Sequence, residues 1–232
     1  MKRFLLLLTG LAVGALALLT TGAFAEKPRT RAASVTEVGR APDNAAPMCP
    51  GNPCNVVTRT TGYGRTANGV AQPNLVARDG RLVSLTLRLG KPTAKQITFF
   101  NKNYGGASQV VLTVLRGSRR PKLTFTVVAQ SAITRPQRYF GQIAQFPLHN
   151  SLDVRKGDVV AITVPTWAPI LASGLSRSNS WRASRGSGRM GCNDNATFAT
   201  QTAQTSLGAR TQYLCAYVGA RLTYSATLIS TP

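Results

Sequence analysis

Chemistry near neutral pH needs side chains that hold or move protons, and this chain has few: one histidine, His149, and seven carboxylates in 232 residues. His149 stands between Leu148 and Asn150, just before a strand pattern, which is the setting of a turn residue. A Ser-His-Asp system built on it would draw on Asp153 or Asp158, and no nucleophile elbow of the G-x-S-x-G type supplies the serine. Both glutamates, Glu26 and Glu37, lie in the N-terminal stretch, so paired-carboxylate hydrolysis falls to Asp79, Asp153, Asp158 and Asp194. A glycosidase needs two carboxyls roughly 5 to 9 Å apart. Asp153 and Asp158 flank one turn, where the ordinary role of aspartate is to tie the backbone by side-chain hydrogen bonds. Hydrolysis by Asp153 and Asp158 is therefore the least favoured reading, and the chain is expected not to be an enzyme. Nothing matches a phosphate-binding loop, a dinucleotide fingerprint or a zinc-protease helix, and no cofactor is expected.

Metal chemistry is equally thin. Asn193-Asp194-Asn195 clusters oxygen ligands beside Cys192, but lacks the spacing and acidic count of a calcium loop. Cys49, Cys54, Cys192 and Cys215 contain one close pair, where a four-thiolate zinc site shows two short ones. No metal is expected.

Binding has better candidates. Trp167 lies between Pro165 and Pro169, and Trp181 precedes Arg182. A flat indole held by prolines can serve as a platform for a sugar ring, with Arg177, Arg182, Arg185 and Arg189 able to hold an acidic group nearby. The competing reading packs both indoles under their own loop as its private core.

The elements that must position these residues read as strands. In Arg81 to Leu89, Val83, Leu85, Leu87 and Leu89 alternate with Leu82, Ser84, Thr86 and Arg88. Lys122 to Gln130 repeats the pattern, with Leu123, Phe125, Val127 and Ala129 expected on the buried side. Val110 to Leu115 is apolar on both faces, as a central strand would be. Ile97 to Phe100, Val159 to Val164 and Tyr213 to Ile229 add β-branched or aromatic segments, the last expected as two strands hinged near Gly219. Turn signals at Asn68-Gly69, Asp79-Gly80, Gly105-Gly106 and Lys156-Gly157-Asp158 separate them. The fold class that follows is all-β, an antiparallel β-sandwich of jelly-roll type. Thr166 to Gln212 is expected as a long irregular loop pinned by Cys192, and loops of such length are often functional.

The first 25 residues carry an address. Lys2 and Arg3 precede an uncharged apolar run from Phe4 to Leu19, and Ala23-Phe24-Ala25 supplies a small-residue exit. That order is a secretory signal cleaved after Ala25; the alternative is a retained membrane anchor with the domain outside. Residues 26–47, rich in Ala, Arg, Pro and Thr, are expected as a disordered tail or spacer, and 48–232 as the β domain. No later run is long enough to span a membrane. In an exported chain four cysteines point to two disulfides. The local pairing is favoured: Cys49 with Cys54 around Pro50-Gly51-Asn52-Pro53, and Cys192 with Cys215, the latter closing a loop worth ~3 kcal/mol.

Charge is lopsided. Two of the 28 Lys and Arg lie in the signal, leaving 26 basic against 7 acidic residues, a net +19. Such a surface attracts polyanions in a salt-dependent way. The cations are scattered and mostly Arg, so a sequence-specific nucleic-acid partner is not expected, and an anionic cell-wall polymer or polysaccharide is the candidate.

Leu152-Asp153-Val154-Arg155-Lys156-Gly157-Asp158-Val159-Val160-Ala161-Ile162, Val164-Pro165-Thr166-Trp167-Ala168-Pro169, Ser180-Trp181-Arg182-Ala183-Ser184-Arg185 and Tyr213-Leu214-Cys215-Ala216-Tyr217-Val218-Gly219-Ala220-Arg221-Leu222 carry a resemblance. Over about residues 75–229 the chain resembles uncharacterised secreted β-sandwich proteins of actinobacteria. The resemblance implies a fold, an extracellular setting and a bacterial source, and no mechanism. The resulting expectation is an exported, non-enzymatic module binding at the cell envelope through the 166–212 loop. Its alternative is a structural or adhesion protein without a small ligand.

Overall fold

Residues 33–39, 45–185, 192 and 198–230 are described by the computed structural model. Alternating aliphatic residues build a first antiparallel sheet in the order β1 (Val35–Val38), β14 (Tyr224–Ser230), β4 (Gly80–Arg88), β7 (Ile143–Val154). The alternation in β4 changes phase: a bulge between Leu82 and Ser84 turns Leu82 into the core and leaves Val83 half-buried, before Leu85 and Leu87 resume the inward row.

The second sheet runs β11 (Arg210–Gln212), β6 (Thr124–Gln130), β5 (Val111–Gly117), β8 (Val159–Ala168), β2 (Val57–Ala67), β10 (Ser180–Ala183), β12 (Cys215–Val218), with the short β3 (Val70–Ala71) paired to β2 through the Asn68-Gly69 turn. Strand β5, read as apolar on both faces, lies inside this sheet, and so does β8. Their outward residues Leu112, Val114, Val160 and Ile162 meet Leu82, Leu85, Leu87, Ala226 and Leu228 of the first sheet in the main core. This is the antiparallel sandwich expected from the alternation.

The larger sheet is not flat. β11 and β12 stand at opposite ends of its order, yet only Tyr213 and Leu214 separate them in the chain. The sheet must therefore curl until one stretch of chain bridges its two ends. Ring contacts agree: Tyr63 on β2, Phe125 on β6 and Tyr213 have centroids 5.3–5.5 Å apart. In a flat sheet β2 and β6 would lie roughly 14 Å apart, at about 4.8 Å per strand. Around these rings Leu115, Val127, Val159 and Ala161 form a second, inner core. β6 serves both cores: Phe125 and Val127 point inward, and after a bulge Val128 and Ala129 pack against the main core.

Four expectations are corrected. Ile97 to Phe100, read as strand, lies in α1 (Ala94–Asn103). Thr93 and Gln96 form a capping box there: the Thr93 hydroxyl accepts the Gln96 N–H and the Gln96 side chain accepts the Thr93 N–H, satisfying donors that a helix start leaves open. Val35–Val38, inside the stretch read as disordered spacer, pairs with β14 from Val35↔Ile229 to Val38↔Ala226. The 166–212 stretch is less irregular than expected. β8 runs on to Ala168, then β9 (Leu171–Ser173), β10 and β11 follow, with β9 pairing β13 (Ala220–Leu222). Tyr213 to Ile229 makes three strands rather than two, broken at Gly219 and again at Thr223.

The end of that stretch is tied across the inner face. Hydroxyls of Thr61, Thr163 and Thr113 are linked in a row at 2.8 and 2.7 Å, the Gln130 amide donates to Thr113 at 3.0 Å, and Gln204 donates its backbone N–H to Thr61 at 2.8 Å. Both disulfides form as the local pairing predicts, with Cα separations of 4.5 Å for Cys49–Cys54 and 5.4 Å for Cys192–Cys215. Among the described residues no helix is long and apolar enough to cross a membrane. The signal segment lies outside the described residues.

Candidate functional site

Of the six residues read as a binding constellation, the five that are described do not meet in one place. Trp167 is fully buried on β8; its indole N–H donates to the Asn101 side-chain oxygen at 3.0 Å and to the Gly106 carbonyl at 2.9 Å, and its ring contacts Phe100 and Phe140. It anchors α1 and the following loop to the sheet. Arg182 is on the opposite face of β10 from Trp181, because side chains alternate along a strand. It donates to the Tyr213 and Leu214 carbonyls at 3.1 and 3.3 Å, holding the link that closes the curled sheet. Arg177 is exposed in the turn before β10. Arg189 lies outside the described residues, as do Asn193, Asp194 and Asn195.

Trp181 and Arg185 do come together. They are four positions apart, Arg185 just beyond the end of β10, and both line a cavity of about 700 Å³. Thr58, Phe100, Phe198 and Tyr217 line it as well. The register places Trp181 opposite Tyr217, and their rings stack at 4.6 Å with 24° between planes. Phe198 lies 6.4 Å beyond Tyr217 in a near-parallel plane. The indole also needs room on the β2 side. A Cβ at Gly62 would stand 2.8 Å from it, so glycine is required there.

Arg185 is 2 % exposed. It donates to the Thr58 carbonyl at 2.5 Å, the Thr58 hydroxyl at 3.3 Å and the Tyr217 hydroxyl at 3.2 Å, and its guanidinium carbon lies 5.1 Å from the Phe198 ring centre. The Tyr217 hydroxyl donates in turn to the Cys192 carbonyl at 2.8 Å, and the Cys215 N–H donates to the Arg185 carbonyl at 3.2 Å. Cys54 lines the same cavity. Both disulfides thus fasten its walls.

The carboxylates considered for hydrolysis are engaged elsewhere. Asp158 is buried and held by two 2.8 Å hydrogen bonds from Arg116, with a third at 2.9 Å from the Arg155 N–H. Asp153 is exposed, 3.3 Å from Arg81. His149 is exposed on β7. Among the described residues no three His, Cys, Asp or Glu side chains cluster as metal ligands. Burial pushes the Tyr63 phenol up to about 12 and holds Tyr213 and Tyr224 well above the usual tyrosine range, so these hydroxyls stay protonated near neutral pH.

A second electrostatic feature lies at the other end of β8, where Leu115 pairs with Val159. The β5–β6 hairpin carries exposed Arg119, Arg120 and Lys122, and Arg210 of β11 reaches its tip at 3.4 Å from the Ser118 hydroxyl. These cations face water.

Sequence reasoning missed Tyr217, Phe198, Thr58 and Phe100. Trp181 and Arg185 stood together among the expected binding residues, but with that stretch expected as an irregular loop the turning of Arg182 to the other face followed only from β10 being a strand, and the partners across the sheet depend on pairing. Comparison with protein-family models, curated proteins and solved structures finds no match for the chain.

Proposed function

We propose that this chain is an exported, non-enzymatic β-sandwich that binds polysaccharide at the cell envelope, using the cavity walled by Trp181, Tyr217, Phe198 and Arg185. The observation that carries the reading is the cavity itself: about 700 Å³, aromatic on one side, with a buried arginine in its wall and both disulfides fastening it. Volumes of 300 to about 1,000 Å³ with few polar groups are typical of small-ligand sites. Export is supported by the signal pattern of residues 1–25 and by two disulfides, which persist in oxidising compartments. The resemblance to secreted actinobacterial sandwich proteins is in keeping with that address. Engagement of Asp153 and Asp158 by arginines favours binding over hydrolysis.

The test is retention of the secreted protein on isolated cell wall and on a glycan array at physiological salt. Wild-type protein is expected to bind and a folded Trp181→Ala protein to lose at least most of that retention. No retention by the wild type, or retention unchanged by the substitution, defeats the proposal.

A further inference from the structure

Two described arginines are buried, and Arg185, at 2 % exposed against 7 % for Arg221, is the deeper and the one that lines the cavity. Burying a guanidinium costs several kcal/mol unless an anion or a full set of acceptors replaces water. Here the acceptors are all neutral, two oxygens of Thr58 and the hydroxyl of Tyr217. The four acidic residues among those described have other partners. Glu37 accepts from Ser225 and Thr227, Asp79 from the Lys156 backbone, Asp153 pairs with Arg81 and Asp158 with Arg116. The Nε of Arg185 is withdrawn from solvent without a hydrogen-bond partner, and so is the indole nitrogen of Trp181. The benzene edge of that indole lies over Gly62, so its N–H edge is turned away from β2. Two buried N–H donors without acceptors, one on a cation that has no counter-ion among the described residues, therefore belong to side chains of the same cavity.

We infer that the ligand of this cavity is a uronic-acid polysaccharide whose carboxylate is received by Arg185, with the Trp181 N–H as a further donor. The inference rests on the polysaccharide reading above and narrows it. An ionised carboxylate is acceptor-only and suits unpaired donors, whereas a neutral sugar hydroxyl would leave the guanidinium without a counter-charge. Two free donors match the two oxygens of a carboxylate; a phosphate or sulfate monoester brings three terminal oxygens. The stacked rings beside them offer apolar surface for the sugar ring.

The experiment titrates the full secreted chain, at physiological salt, with a galacturonate trisaccharide and with the neutral galactose trisaccharide of the same linkage. A hydrogen bond to a charged group is worth about 1.5–3 kcal/mol, so the acidic sugar should bind about 10- to 100-fold more tightly. Arg185→Lys, which keeps the charge and removes the fork, should abolish the difference. Because that variant can unfold, the ¹⁵N-labelled wild type supplies a second readout: the Arg185 Nε–H resonance should shift on addition of the acidic trisaccharide. Replacing Arg119, Arg120 and Lys122 together by Ala should leave the preference intact. Equal binding of both sugars overturns the carboxylate assignment while leaving the polysaccharide reading standing. Failure of both sugars to bind overturns this narrower assignment; if cell-wall retention also fails, the broader reading falls with it. A preference that survives Arg185→Lys but vanishes in the triple variant, or a resonance that stays fixed at saturation, also overturns it.

Discussion

The two ends of β8 present the same chemistry under opposite conditions. At one end Arg119, Arg120, Lys122 and Arg210 are exposed; at the other Arg185 is buried against Thr58, Tyr217 and Phe198. Exposed cations keep their hydration, and their pull on an anion is screened over about 8 Å at physiological salt. A buried cation has given up its water, so its interactions are short-ranged, directional and little affected by salt. The contrast teaches that net charge and the contacts of a buried cation are separate properties of this chain. The +21 of the full sequence is spread over 28 Lys and Arg, of which these exposed cations are a small part, whereas the second end rests on Arg185.

Breaking the buried end should have the largest consequence. Trp181→Ala removes a stacked ring from the main core and should cost about 3–5 kcal/mol in urea unfolding. Replacing Cys192 and Cys215 together by Ser opens the loop they close and should cost ~3 kcal/mol by the same measurement, while weakening any ligand affinity through the Tyr217 to Cys192 contact. Arg185→Gln strands the Thr58 carbonyl and should cost about 1–3 kcal/mol. The Ala triple variant of Arg119, Arg120 and Lys122 should change stability by less than about 0.5 kcal/mol per site, yet lower the salt at which the protein leaves a heparin column. Reversed sensitivities, with binding at physiological salt lost in the triple variant and kept in Arg185→Gln, would show that the exposed end is the recognising one.

What the sequence revealed follows from which interactions are local. The strands from Val159 and from Val111 announce themselves by aliphatic runs, and Cys49 with Cys54 by a turn that folds back within five residues. Val35–Val38 gave no such sign, since four residues are too few for a pattern and their partners lie near residue 228. α1 was missed because Ile97, Phe99 and Phe100 suit either element, while the deciding signal was polar, Thr93 with Gln96. Of the candidate site, Trp181 and Arg185 were readable together. Trp167 belonged to the core, where its N–H is satisfied by Asn101 and Gly106, and Tyr217 entered only through its register with Trp181.

The bridge at Tyr213 and Leu214 also bears on how copies of this protein behave in a crowd. β11 covers the side of β6 and β12 the side of β10 that an open sheet would leave unpaired. The outermost strands of the larger sheet, β11 and β12, are three and four residues long, and short edges template strand addition poorly. In the first sheet the outer strand β7 carries Pro147, which lacks the N–H that a neighbouring strand would need. The larger sheet is guarded against self-templated aggregation by its topology, independently of its charge.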